Sequence, residues 1–117
     1  MKTITFTEDQ EKVFEDAIEV YGHESQLTQT NEEATELALA ILKYQRAHKY
    51  DDAELKKIRR EELLSEIADV IVMTQQCILI FGPEEIQQQI NFKLRRQRQR
   101  IDNKIKAKEL SGFPKIQ

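Results

Sequence analysis

Residues 63–81 read LLSEIADVIVMTQQCILIF, and the reading of this stretch decides the fold. Wound as a helix, it is apolar around most of its circumference, so it is expected to be the most buried element of the chain. It continues a charged first half that contains Glu54, Lys56, Lys57, Arg59, Arg60, Glu61 and Glu62. Together they predict one long helix from about 52 to 80. Gly82-Pro83 ends it, because Gly suits a helix C-terminus and Pro suits the first turn of a following helix. The unexpected feature is a pair of carboxylates, Glu66 and Asp69, set among Leu63, Leu64, Ile67, Ala68, Val70 and Ile71.

The neighbouring segments have the same helical character. Thr7 followed by Glu8, Asp9 and Gln10 is a helix start signal, and Val13, Phe14, Ala17, Ile18 and Tyr21 follow at helical spacing up to Gly22. This predicts a helix over 8–22. The polar run from His23 to Thr30 is expected to contain a connection, with His23 as a loop or capping residue. A second helix then starts at about 25 or 31 and runs to about 48, on the stripe Ala34, Leu37, Ala38, Ile41 and Leu42. His48 to Asp52 reads as a charged connector. A fourth helix is expected over about 83–106, marked by Ile86, Ile90, Leu94 and Ile101, and residues 107–117 are expected to be an irregular tail. Residues 1–106 would then form a single all-α domain, bundle-like, with four helices and short links.

Composition agrees with that class. The chain has 117 residues, 33% of them charged, with only three Gly and two Pro, which favours a few long helices over many short strands. Cys77 is the lone cysteine, so an internal disulfide is impossible and a cysteine-based zinc site is excluded. No apolar stretch reads as a signal peptide or membrane span, which makes the cytoplasm the default location. Charge is uneven: residues 1–90 carry a net −10 and residues 91–117 a net +7. The acidic part cannot be a nucleic-acid surface by itself, whereas the basic end could contact phosphates.

The carboxylates carry the chemistry. Glu33 and Glu36 are three apart on the second helix and share a face; Glu66 and Asp69 repeat that spacing on the third. A lone pair of this kind is usually a solvated helix face or an ion-pair partner, and Glu32 reads that way. Two matched pairs on helices expected to pack together, one in an apolar setting, are different. Unpaired carboxylates are strongly disfavoured in such surroundings, so they must be neutralised, exposed at a cleft or bound to cations. Oxygen donors suit Mg²⁺, with Mn²⁺ as an alternative, rather than zinc. A di-iron bundle requires Glu-x-x-His pairs, and neither His23 nor His48 supplies one. On the fourth helix Lys93, Arg96 and Arg100 line one face near Asn91, as polyphosphate recognition would require. A solvated basic face is the plainer reading of the same stripe. Nucleic acid is not expected, since the stretch has a single aromatic, Phe92, in an acidic chain.

These residues resemble the MazG-like all-α nucleoside triphosphate pyrophosphohydrolases. That family's pattern is Glu-Glu-x-x-Glu on one helix and Glu-x-x-Asp on the next long one. It stands here as Glu32-Glu33-Ala34-Thr35-Glu36 and Glu66-Ile67-Ala68-Asp69, with the 91–100 stretch resembling the family's later basic cluster. The resemblance spans about residues 20–101. One departure is the long interval between Glu36 and Glu66, whose extra length is charged material at 49–62. The resemblance implies Glu33, Glu36, Glu66 and Asp69 as Mg²⁺ ligands. It implies Glu33 or Glu36 as the residue orienting an attacking water, and Asn91, Lys93, Arg96 and Arg100 as substrate contacts. It further implies cleavage between the α- and β-phosphates of a nucleoside triphosphate in a homodimer or homotetramer. Gln26, Asn31 and Tyr44 are candidates to touch a base or sugar, and Lys43, seven residues after Glu36, to pair with an acid or a phosphate. The competing class is a non-enzymatic helical interaction module.

Overall fold

A computed structural model describes residues 2–112, and within them the chain is all-α, with four helices and no strand. Helix α1 spans Glu8–Tyr21, α2 His23–Ala47, α3 Ala53–Phe81 and α4 Pro83–Leu110. The chain divides into two compact units, Met1–Phe81 and Gly82–Gln117, and each is described by itself.

In the first unit, local signals set the helix ends. Thr7 caps α1 in a capping box: its hydroxyl accepts from the Gln10 amide, and the Gln10 side chain accepts from the Thr7 amide. Phe14, the buried residue of α1, meets the Phe6 ring edge-to-face at 5.1 Å. Gly22 alone separates α1 from α2, at φ +88, a conformation that other side chains rarely adopt. Of the two starts expected for α2, about 25 and about 31, the earlier is the nearer: His23 is the first residue of α2 and not in a loop, and the polar run is helical. Its threonines are accommodated because Thr28 and Thr30 donate to the carbonyls of Glu24 and Gln26, four residues back.

Helices α2 and α3 form an antiparallel hairpin. Gln26 pairs with Gln76 at one end, while Ala47 shares a cleft with Leu55 and Arg59 at the other, so rising numbers on one helix meet falling numbers on the other. The turn between them is only residues 48–52, with Asp52 accepting from the Leu55 amide to start α3. The charged material at 49–62 thus mostly extends helix rather than loop. Burial follows a heptad: Gln26, Ala40 and Ala47 are buried on α2, with Glu33 half-buried between them. Arg59 and Glu66 on α3 are half-buried in step with buried Met73. The small residues Ala40 and Ala47 let the two helices approach closely. Helix α1 packs against both.

Burial on α3 is one-sided: among the described residues Met73 and Gln76 are buried and Leu63, Val70, Ile71 and Ile78 half-buried, while Leu64, Ile67, Val72, Leu79 and Phe81 are exposed. Helices α1 and α2 cover one side of it, and an apolar circumference needs partners all round. It is also long and apolar enough to cross a membrane by length and composition alone, with Glu66 and Asp69 the charged residues of the stretch 64–81.

The second unit is α4. Gly82, at φ +93, and Pro83 at the first turn open it as expected. It runs to Leu110, four residues past the expected end, so the supposed tail starts as helix; Phe113 to Gln117 lie outside the described residues. No α4 residue is buried.

Candidate metal centre

One heptad along the seam from the Gln26–Gln76 pair, α2 and α3 bring carboxylates together. Glu33, Glu66 and Asp69 each present an oxygen within 4.8 Å of the other two. Their meeting follows from the antiparallel register: Glu33 lies seven residues after Gln26, and Asp69 seven before Gln76. Glu33 and Glu66 point into the seam and are half-buried, while Asp69 is at its edge and exposed.

The hydrogen bonding of this group is incomplete. Gln29 donates to Glu33 Oε1 at 2.8 Å from one turn earlier on α2, which fixes the Glu33 carboxylate. The other oxygen, Glu33 Oε2, is buried with no partner, and so is Glu66 Oε2. Two buried acceptors side by side without donors are unfavourable for the free protein. The Glu66 carboxyl accordingly titrates above the usual carboxylate range. Desolvation is the main cause, followed by the negative charges of Glu36, Asp69 and Glu33 and by the closeness of the Glu33 carboxylate, which accepts from Glu66 only when Glu66 carries a proton.

Glu36 stands apart from the three. It is exposed and lines an open cleft of about 270 Å³ with Leu39, Ala40, Lys43, Glu62 and Glu66. The cleft gives solvent a route to Glu66. A larger cleft of about 500 Å³ runs along Asn91, Leu94, Arg95, Arg98 and Gln99, but it lies on a single helix and has no second wall. The α4 candidates are all exposed. Asn91 accepts from Gln87 at 2.9 Å, Arg96 lies 5.7 Å from the Phe92 ring, and Lys93 and Arg100 have no ion-pair partner among the described residues.

Gln26, a candidate base contact, is committed elsewhere: it is buried and donates its side-chain amide to Gln76. Tyr44 stacks on His48 with ring centres 4.4 Å apart, and Asn31 is exposed. Sequence reasoning missed Gln29, although its position four residues before Glu33 was a visible signal. It also missed Glu62, which lies four residues before Glu66 on α3 and lines the same cleft.

The donor set is all oxygen, acidic and partly desolvated, and it fits a hard divalent cation such as Mg²⁺ or Mn²⁺. No family model, curated protein or solved structure matches the chain, so the family resemblance rests on the motif residues themselves.

Proposed function

We propose that the chain is a Mg²⁺-dependent hydrolase that converts a nucleoside triphosphate to its monophosphate and pyrophosphate. The observation that carries this reading is the pair of buried, unpartnered oxygens of Glu33 and Glu66 with Asp69 beside them. Three carboxylates gathered around two vacant acceptors are costly for a purely structural helix seam, but they suit a cation site.

Glu33, Glu66 and Asp69 would hold the metal. When bound, Mg²⁺ supplies charge neutralisation of the phosphates and acidifies a coordinated water. Glu36 is exposed at the cleft and makes no hydrogen bond among the described residues, which leaves it free to orient the attacking water. Gln29 holds Glu33 in position. The family resemblance implies that the cationic Lys93, Arg96 and Arg100, with the neutral amide of Asn91, contact the substrate's phosphates. The reading includes self-association: a second copy would cover Leu64, Ile67, Val72 and Leu79, and light scattering should find a dimer or tetramer.

The test is pyrophosphate release from a panel of standard and modified nucleoside triphosphates, with and without Mg²⁺. Release should require the metal and fall at least about 100-fold in Glu36→Gln. The reading fails if no triphosphate yields monophosphate and pyrophosphate, or if the folded variant keeps full activity. The exposed apolar residues of α3 favour a second reading, a helical interaction module. Such a module would tolerate Glu66→Gln and Asp69→Asn with no loss beyond a change in stability.

A further inference from the structure

The carboxylate cleft does not end at Glu36. Lys43 lines it, and Lys43 also lines a second open cleft of about 240 Å³ with Arg46, Ala47, Tyr50, Leu55 and Arg59. The two clefts therefore adjoin at Lys43 on α2 and α3, with carboxylates lining one and cations lining the other. The register explains this: Lys43 lies seven residues after Glu36, and Arg59 seven before Glu66. One heptad is about 10 Å of helix. Side chains on a helix lean toward its N-terminus, so Lys43 leans back toward Glu36 and bridges the two clefts.

Two of the three cations at this end are not ion-paired: the side chains of Lys43 and Arg46 have no ion-pair or hydrogen-bond partner among the described residues. Arg59 is paired with Glu62, through one guanidinium nitrogen at 2.9 Å. Asp52 is occupied as the cap of α3, and Asp51 is exposed in the turn. The buried Ala47 forms an apolar floor, which lowers the local dielectric and strengthens any charge interaction above it.

We propose that Lys43, Arg46 and Arg59 form a second subsite for phosphate groups, holding the far end of a polyphosphate chain whose near end lies at the carboxylates. This deepens the hydrolase reading and rests on it for the placement of the near end. The phosphate chemistry of the subsite is independent of any metal. These cations lie in the same unit as the carboxylates, on the two helices that carry them, and are distinct from the α4 stripe. Phosphate oxygens accept charge-assisted hydrogen bonds from all three side chains, and Arg46 can do so in a bidentate manner.

The experiment is a calorimetric titration of the full chain with inorganic tripolyphosphate in EDTA at low salt. Wild type should bind one equivalent, with affinity that falls steeply as salt rises. Lys43→Gln and Arg46→Gln should each weaken binding about tenfold, as loss of a charged hydrogen bond does. Both positions lie outside the helix seam core, and unchanged thermal melts will verify folding. Glu66→Gln should bind tripolyphosphate at least as tightly as wild type. The proposal is overturned if wild type does not bind, if both variants bind as wild type does, or if only Lys93→Gln and Arg96→Gln reduce binding. An α,β-methylene nucleoside triphosphate with Mg²⁺ then decides the source. Competition with tripolyphosphate assigns the subsite to nucleotide-borne phosphates, and its absence assigns it to free polyphosphate. A separate Mg²⁺ titration isolates the metal reading: if Glu66→Gln leaves Mg²⁺ affinity unchanged, that reading fails while the phosphate subsite stands.

Discussion

Two polar layers interrupt the α2–α3 seam one heptad apart, and they differ in one respect. In the first, Gln26 and Gln76 are both buried, and the Gln26 side-chain amide donates to the Gln76 side-chain oxygen. In the second, Glu33 and Glu66 face each other with a buried oxygen apiece and no donor. The amide layer is closed: donor meets acceptor, and nothing further is needed. The carboxylate layer is open, since it has acceptors only and requires a cation or proton from outside. Buried polarity therefore marks structure where it is satisfied internally and marks a binding site where it is not.

The sharpest way to break the contrast is to remove the open layer's charge. Glu66→Gln should cut Mg²⁺-dependent pyrophosphate release by at least about 100-fold, while the metal-free protein becomes more stable in thermal melts. Retention of activity would make the carboxylate layer as structural as the amide layer. The closed layer should respond the opposite way. Gln76→Leu leaves the Gln26 amide buried and unpaired, and chemical denaturation should register a loss of about 1–3 kcal/mol. The double change Gln26→Leu with Gln76→Leu should recover most of that loss, because no polar group is then stranded. If the double variant is worse than the single one, the pair does more than satisfy itself.

Smaller effects refine the comparison. Gln29→Ala frees Glu33 Oε1, and Mg²⁺ affinity measured by calorimetry should fall about tenfold with little change in stability. The pH dependence should be the mildest. The folded Glu66 pKa lies above its unfolded value, so its proton stabilises the folded state. That contribution is complete below the unfolded pKa and is lost as pH rises through the raised folded one. In EDTA the melting temperature should decline over that window, and Glu66→Gln should remove this component. With Mg²⁺ the trend should reverse, because the cation binds the deprotonated form.

The local parts of the fold were legible in the sequence. Thr7, Gly22 and Gly82-Pro83 mark helix ends through their own backbone and side-chain chemistry, and no tertiary information is needed to read them. The start of α2 was legible only as two alternatives, because a polar run reads as loop or helix alike until its threonines are seen to bond to carbonyls in their own helix. The one-sided burial of α3 was not legible for a related reason. An apolar circumference states what a helix can bury, and only its neighbours decide what it does bury. At the site, equal spacing on two helices was enough to suggest the meeting of Glu33, Glu66 and Asp69. The neighbourhood of Lys43 and Arg59 was hidden, since it depends on the register that Gln26 and Gln76 set.

That register has a geometric consequence. Because α2 and α3 run antiparallel and join through residues 48–52, the distance between the carboxylates and the turn is a length gauge. Inserting seven residues into each arm, between Glu36 and Lys43 and between Arg59 and Glu66, preserves every facing pair. It moves the turn outward by about 10 Å. Inserting two into one arm alone turns its face by about 200° and leaves no aligned groove. A hairpin of this kind can change the span between its two ends only in whole, matched steps.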